Sequence, residues 1–165
     1  MERTRIKPEV KGKASGSPER RDDLVGRVVR DFRRFFSERC KLVHAGDADE
    51  KWAYLDKKLL KKLGVKIEAH GKMPDVVVYV EKKNWLVLIE AVTSHGPVNP
   101  KRRSELKLLF KDCKAGLVFV TAFLDRHAMV KYLGEISWET EVWGADSPTH
   151  LIHFNGERFL GPYGD

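Results

Sequence analysis

Two apolar runs separated by three residues dominate what this chain can fold into. Residues 75–81 read DVVVYVE and residues 85–93 read WLVLIEAVT, with Lys82-Lys83-Asn84 between them. Nearly continuous valine, leucine and isoleucine suits central strands covered on both faces, not strands with one face in water. So short a linker makes the pair an antiparallel hairpin. Each strand carries one carboxylate: Asp75 opens the first, and Glu90 stands near the end of the second. The hairpin brings the start of one strand to the end of the next, so the two carboxylates are expected to converge.

The remaining elements follow from periodicity and end signals. Ser17-Pro18 is a helix start, and Leu24, Val25, Val28, Val29, Phe32, Phe35 and Phe36 then recur at helical spacing. Arg20, Arg21, Arg27, Arg30, Arg33 and Arg34 occupy much of the rest of that helix, as a solvated face or an electrostatic one. Lys41 to Ala45 reads as a short strand. Asp49 is expected to cap a second helix with Trp52, Leu55, Leu59 and Leu63 as its buried stripe, ended by Gly64. A brief strand is expected around Lys66 to Ala69. Asn99-Pro100 starts a helix reaching about Lys114, with Leu106, Leu109, Phe110 and Cys113 inward. Gly116 to Phe123 is a buried strand, and Asp125 caps a short helix ending at Gly134. Strands near Thr140 to Ala145 and His150 to Phe154 precede an Asn155-Gly156 turn. The order predicts an α/β fold, a mixed central sheet flanked by helices. Residues 1–16 read as a disordered basic arm, and 17–165 as a single domain.

A chain of 165 residues with 42% apolar content can bury one core. Its net charge of +7 and pI near 9.4 favour polyanionic partners. Cys40 and Cys113 form no disulfide framework or CxxC pair, which fits buried free thiols in a reducing compartment. No apolar stretch approaches the roughly 20 residues of a membrane helix, and the N-terminus has no secretory h-region. A soluble, cytoplasmic protein is the expectation.

Glu90 lies inside WLVLIEAV, where an unpaired charge costs several kcal/mol or shifts its pKa until neutral. A metal must compensate it, or a salt bridge. Asp75 also reads as a strand terminator or turn cap. Taken together, the two carboxylates can share one hard cation; oxygen ligands of this kind suit magnesium, and the Ala91 carbonyl is a plausible third ligand. Such an ion lowers the pKa of a bound water and neutralises charge on a phosphate. Ser94, His95 and the Gly96-Pro97 corner follow directly; His95 is a candidate phosphate contact or proton shuttle, or a loop histidine bonding its own turn. Lys101, Arg102 and Arg103 open the next helix, whose N-terminal dipole favours phosphate. His150 and His153 are three apart in a strand and face opposite sides, a poor metal pair. Trp138 and Trp143, with Glu139 and Glu141, read as core and edge residues.

Asp75 after Pro74, with Glu90 on the following strand, resembles the PD-(D/E)XK nuclease superfamily. The blocks GKMPDVVVY, WLVLIEAVTSHGPVNPKR, GLVFVTAF, WETEVW and HLIHFNGERFLGP are similar to the catalytic region of the BsuBI/PstI type II restriction endonucleases, over roughly Lys41 to Tyr163. The resemblance implies a restriction-endonuclease-like core and a magnesium-dependent endodeoxyribonuclease, with manganese able to substitute. It implies cleavage of double-stranded DNA at a palindrome, CTGCAG for the family's named members. Two-fold symmetric cutting implies a homodimer, and a cognate DNA methyltransferase is expected as a separate protein. Asp75 and Glu90 are then the metal-binding and catalytic carboxylates. Ser94, His95, Arg102 and Arg103 are the candidate DNA contacts. The superfamily's lysine, two residues after the glutamate, is here Val92, so either another residue supplies that charge (Lys101, with Lys72 and Lys51 as alternatives) or the mechanism manages without it. The resemblance also implies an additional N-terminal region, for which 165 residues leave no room, so the expectation is impaired site recognition, or a fragment or reduced relative. A DNA-binding module that lost catalysis, and a structure-selective repair nuclease on the same core, are the competing readings.

Overall fold

The computed structural model describes residues 18–36, 39–46, 54–66, 72–93 and 96–156. At its centre is the expected hairpin. Strand β3 (Val76–Val80) pairs antiparallel with β4 (Trp85–Ala91), from Val76 opposite Ile89 to Val80 opposite Trp85. A single 3-10 turn at Glu81–Lys83 joins them, closed by Asn84 in the left-handed region at φ 51°, a conformation asparagine tolerates better than most residues.

Around the hairpin lies a seven-stranded mixed sheet in the order β2-β1-β3-β4-β5-β6-β7. β1 (Cys40–Ala45) pairs antiparallel with β3 and with the two-residue edge strand β2 (Tyr54–Leu55). β5 (Gly116–Phe123) and β6 (Thr140–Gly144) continue parallel to β4, and β7 (Leu151–Phe154) closes the other edge antiparallel. The parallel step from β4 to β5 requires a crossover, and α4 (Pro100–Leu109) supplies it. Asn99 caps α4 by accepting from the Arg102 amide at 2.8 Å, with Pro100 in the first turn.

Alternation divides each central strand between two cores. Val76, Val78 and Val80, with Val87, Ile89, Val120 and Ala122, pack under the long N-terminal helix. That helix runs as α1 (Pro18–Arg27), a π-helical turn (Val28–Phe32) and α2 (Arg33–Phe36), and contributes Leu24, Val28 and Phe32. Two of its arginines dock it: Arg27 donates to the Ala145 carbonyl at 2.6 Å, and Arg33 donates to the Cys40 sulfur. On the opposite face, Val77, Leu86, Leu88 and Phe119 meet Leu106 and Phe110 from the α4 region and Leu59, Leu60 and Leu63 from α3 (Lys57–Lys62) and its end. A third small cluster of Val92, Phe123, Ile136 and Val142 lies beneath α5 (Arg126–Val130) and the turn after it.

Several local expectations are corrected. Leu55 belongs to β2 and not to a second helix: α3 begins after Asp56, whose side chain accepts from the Leu59 amide at 2.9 Å. The spacing of Leu55, Leu59 and Leu63 imitates one helical stripe, but Leu55 is held by strand pairing opposite His44. Gly64 ends the helix as expected, at φ +84°. Helix α4 stops at Leu109, because Phe110 turns out of helical geometry while its side chain stays in the core. Trp143 is fully buried, whereas Trp138 is 67% exposed. Cys40 and Cys113 are free and half-buried. The basic arm, Ser17, Asp49, Trp52 and most of the strand expected near Lys66 to Ala69 lie outside the described residues. Among the described residues no helix is long and apolar enough to cross a membrane.

Candidate active site

Asp75 stands one step before β3. The β3–β4 register, continued one pair past Val76 and Ile89, sets it opposite Glu90. Both residues therefore project toward the α4 face of the sheet, the face of Val77 and Leu88. Asp75 is buried at 6% exposure. Its Oδ2 accepts from the Ala91 amide at 2.9 Å, and its carbonyl accepts from the Gly46 amide at 2.8 Å. These bonds fix the carboxylate between β1 and β4 before any ligand arrives.

Glu90 occupies the end of β4 with its side chain 12% exposed. The neutralising cation is Arg102, 15% exposed, whose Nη2 lies 2.7 Å and Nε 2.8 Å from Glu90 Oε1. Nη2 also donates to the Lys72 carbonyl at 2.9 Å, and Nη1 lies 3.5 Å from Glu105. Capping by Asn99 puts Arg102 in the first turn of α4, and the packing of Leu106 one turn later turns it over the sheet. Arg102 does not fully offset the burial of Glu90. Burial, then the charge of Asp75, raises the Glu90 pKa, while Arg102 and Lys72 oppose the rise. The centre is a pair of facing carboxylates, Asp75 held by the Ala91 amide and Glu90 by Arg102.

That donor set fits a hard divalent cation. Among the described residues no three His, Cys, Asp or Glu side chains converge as a metal cluster. Asp75 and Glu90 would supply two ligands, with carbonyls and waters completing the set, a composition magnesium accepts.

The other candidates fall in different places. Ala91 is buried, and its amide is the one that holds Asp75. Ser94, His95 and Lys51 lie outside the described residues. Lys101 is exposed and lines a cleft on the far side of the α4 N-terminus. Lys72 is also exposed, and its charge reaches Glu90. Arg103 faces away from Glu90, its guanidinium over the Phe119 ring and paired with Glu139. Val92, where the superfamily lysine belongs, is 4% exposed among Phe123, Ile136 and Val142, and its amide donates to the Ala122 carbonyl. His153 pairs with Glu141, while His150 lies outside β7 and bonds Thr149.

Two further residues belong to the neighbourhood. The β1–β3 register slips at a bulge between Leu42 and His44, leaving Val43 as the extra residue and setting His44 opposite Val77. The bulge re-aims His44 to the face of the carboxylates. Its Nδ1 pairs with the Tyr54 carbonyl at 3.0 Å; burial lowers its pKa, against that bond and the charge of Asp75. Thr121, fully buried and opposite Glu90 on β5, accepts from the Val98 amide at 3.1 Å and anchors the corner before α4. No sequence signal marks the bulge; a threonine beside the carboxylate strand is visible only once β5 is placed parallel to β4.

Residues 5–157 match the BsuBI/PstI restriction endonuclease domain. The chain belongs to this family. It is 54% identical over 147 residues to the type II restriction enzyme BsuBI of Bacillus subtilis, covering 89% of this chain and 46% of that protein. With the type II restriction enzyme AplI of Arthrospira platensis it shares 33% identity over 143 residues, 83% of this chain and 44% of the relative. Among solved structures, the SdaI restriction endonuclease matches with a TM-score of 0.80 at 42% identity, over 88% of this chain and 46% of that one. The fold is thus that of a PD-(D/E)XK-like nuclease core. This BsuBI/PstI-family chain spans less than half the length of these relatives.

Proposed function

We propose that this chain is a magnesium-dependent endodeoxyribonuclease core that hydrolyses phosphodiesters in double-stranded DNA, as a type II restriction enzyme. The observation that carries the reading is the Asp75–Glu90 pair, set face to face by the β3–β4 register, with Glu90 held by Arg102 and its pKa raised by burial and by Asp75. Asp75, Glu90 and the Ala91 carbonyl would hold the ion. When bound, it supplies a Lewis acid for the phosphoryl oxygens and an acidified water. Arg102 keeps the Glu90 carboxylate oriented and charged. Lys101 stands at the first turn of α4, where an exposed cation and the helix dipole favour a DNA phosphate. Lys72, whose charge already reaches Glu90, is the alternative for the missing lysine. Arg103, Ser94 and His95 complete the DNA contacts.

A palindromic site similar to CTGCAG, a homodimer for symmetric cutting, magnesium or manganese as the ion, a cytoplasmic location and a separate cognate methyltransferase belong to the same proposal. Plasmid incubated with the protein and magnesium is expected to be cut, and Asp75→Ala and Glu90→Ala to abolish cutting. Undiminished cutting by both variants would reject the assignment. Lys101→Ala and Lys72→Ala, compared by single-turnover rate, identify which lysine acts. Val92 within an apolar cluster favours one second reading, a DNA-binding module without catalysis. That reading requires salt-sensitive DNA binding with no nicking at any metal concentration.

A further inference from the structure

Beside the carboxylate centre, past the N-terminus of α4, lies a cleft of about 640 Å³ whose walls include Asn99, Lys101, Arg103, Glu135, Trp138 and Glu139. Lys101 and Arg103 are shared with the DNA contacts proposed above, whereas Glu135, Trp138 and Glu139 have no part in them. Trp138 is 67% exposed, an unusual setting for so large an apolar ring. The ring is held from behind: a Cβ on Gly156 would sit 3.4 Å from it, and its centroid lies 6.2 Å from that of Phe154. Arg103 lies with its guanidinium 5.5 Å from the Phe119 ring centroid, and its outer nitrogen is bound to the exposed carboxylate of Glu139. Its Nε is buried and has no hydrogen-bond partner among the described residues. Glu139 itself sits at φ +58°, a strained value for a residue with a side chain. The wall is tied to the active-site corner, because the Ser137 amide donates to the Val98 carbonyl at 3.0 Å.

We infer that this cleft binds an unpaired nucleotide of a DNA strand, with its base stacked on Trp138 and its phosphate on Lys101 and Arg103. A phosphate alone is a poor match, because Glu135 and Glu139 set two carboxylates against the two cations. A nucleotide suits the mixture better: its phosphate takes the two cations, and an amino group on its base donates to one of the carboxylates. An aromatic face beside cations is the arrangement by which single strands are held without base pairing. Glu139 keeps Arg103 in place until a phosphate replaces it. That the strand is DNA rests on the nuclease reading, but binding does not require cleavage.

The test is metal-free, in chelator, with the full chain. Fluorescence anisotropy compares a labelled oligodeoxycytidine with an abasic strand of the same length and charge. The protein should prefer the base-bearing strand, and Trp138→Ala should weaken its binding about fivefold or more. Trp138→Phe should restore most of that loss, and the abasic strand should bind both variants like the parent. Glu139→Gln, which frees Arg103, should strengthen binding of both strands. Equal binding of the two strands by the parent would overturn the proposal, as would an unchanged oligodeoxycytidine affinity in Trp138→Ala. A change in sedimentation by Trp138→Ala with no change in DNA affinity would reassign the cleft to protein contact and likewise overturn it. Loss of magnesium-dependent cutting bears on the carboxylate centre and leaves this binding test unaffected.

Discussion

Removing Arg102 separates structural from electrostatic accounts of the centre. In Arg102→Ala, Glu90, whose side chain is 12% exposed in the parent, loses its paired arginine and still faces Asp75. Breaking one partner of a buried pair costs about 3–5 kcal/mol; residual exposure and the freedom of Glu90 to take up a proton reduce this to about 2–3 kcal/mol near neutral pH. For a chain of this size that corresponds to a melting temperature about 4–12 °C lower. In Glu90→Gln the amide oxygen can still accept from Arg102, and the repulsion by Asp75 is gone, so stability is expected to hold within about 1 kcal/mol. Arg102→Ala placed in the Glu90→Gln background should therefore cost about 1.5–2 kcal/mol less than in the parent. Urea unfolding of the four proteins in chelator, at equal slope, measures the coupling. Added magnesium should raise the midpoint of Arg102→Ala more than that of the parent, because the ion replaces the lost charge. If Arg102→Ala costs the same in both backgrounds, its role is packing, and the Arg102–Glu90 ion pair is not the organising feature.

The pH dependence has a definite sign. Because the folded-state pKa of Glu90 is raised, by burial first and by Asp75 second, folding binds a proton there. Its contribution to stability is fully present below the ordinary carboxylate range and is lost as pH rises through the raised value. Metal-free unfolding from pH 4 to pH 7 should show this decline in the parent, and Glu90→Gln should remove it; an identical profile in the variant would contradict the shift. At position 92, restoring the superfamily residue should harm the protein. Val92→Lys puts an ammonium among Phe123, Ile136 and Val142 and should destabilise by at least about 2 kcal/mol, read by thermal melting. A Val92→Lys protein of parental stability that cuts faster would show that the cluster yields to a cation.

The sequence by itself determined the central hairpin, the strand Gly116 to Phe123, the capped start at Asn99 and the meeting of Asp75 with Glu90. These rest on local chemistry: valine-rich runs, a linker too short for a crossover, and cap residues acting within one turn. The compensation of Glu90 by a salt bridge was one of two readings of a buried carboxylate, and the structure shows an arginine there. Which of three consecutive cations fills the role was not legible. Lys101, Arg102 and Arg103 differ by about 100° each around a helix, and only the docking of Leu106 and Phe110 on the sheet sends Arg102 to Glu90, Arg103 to Glu139 and Lys101 to the cleft. His44 reaches the carboxylate face because one extra residue in β1 reverses the side-chain alternation, and nothing in CKLVHA announces a bulge. Leu55 left the helical stripe for strand pairing, and of the two tryptophans Trp143 took the core and Trp138 the surface. Periodicity records which residues share a face of one element. Which neighbour covers that face is decided when the elements pack.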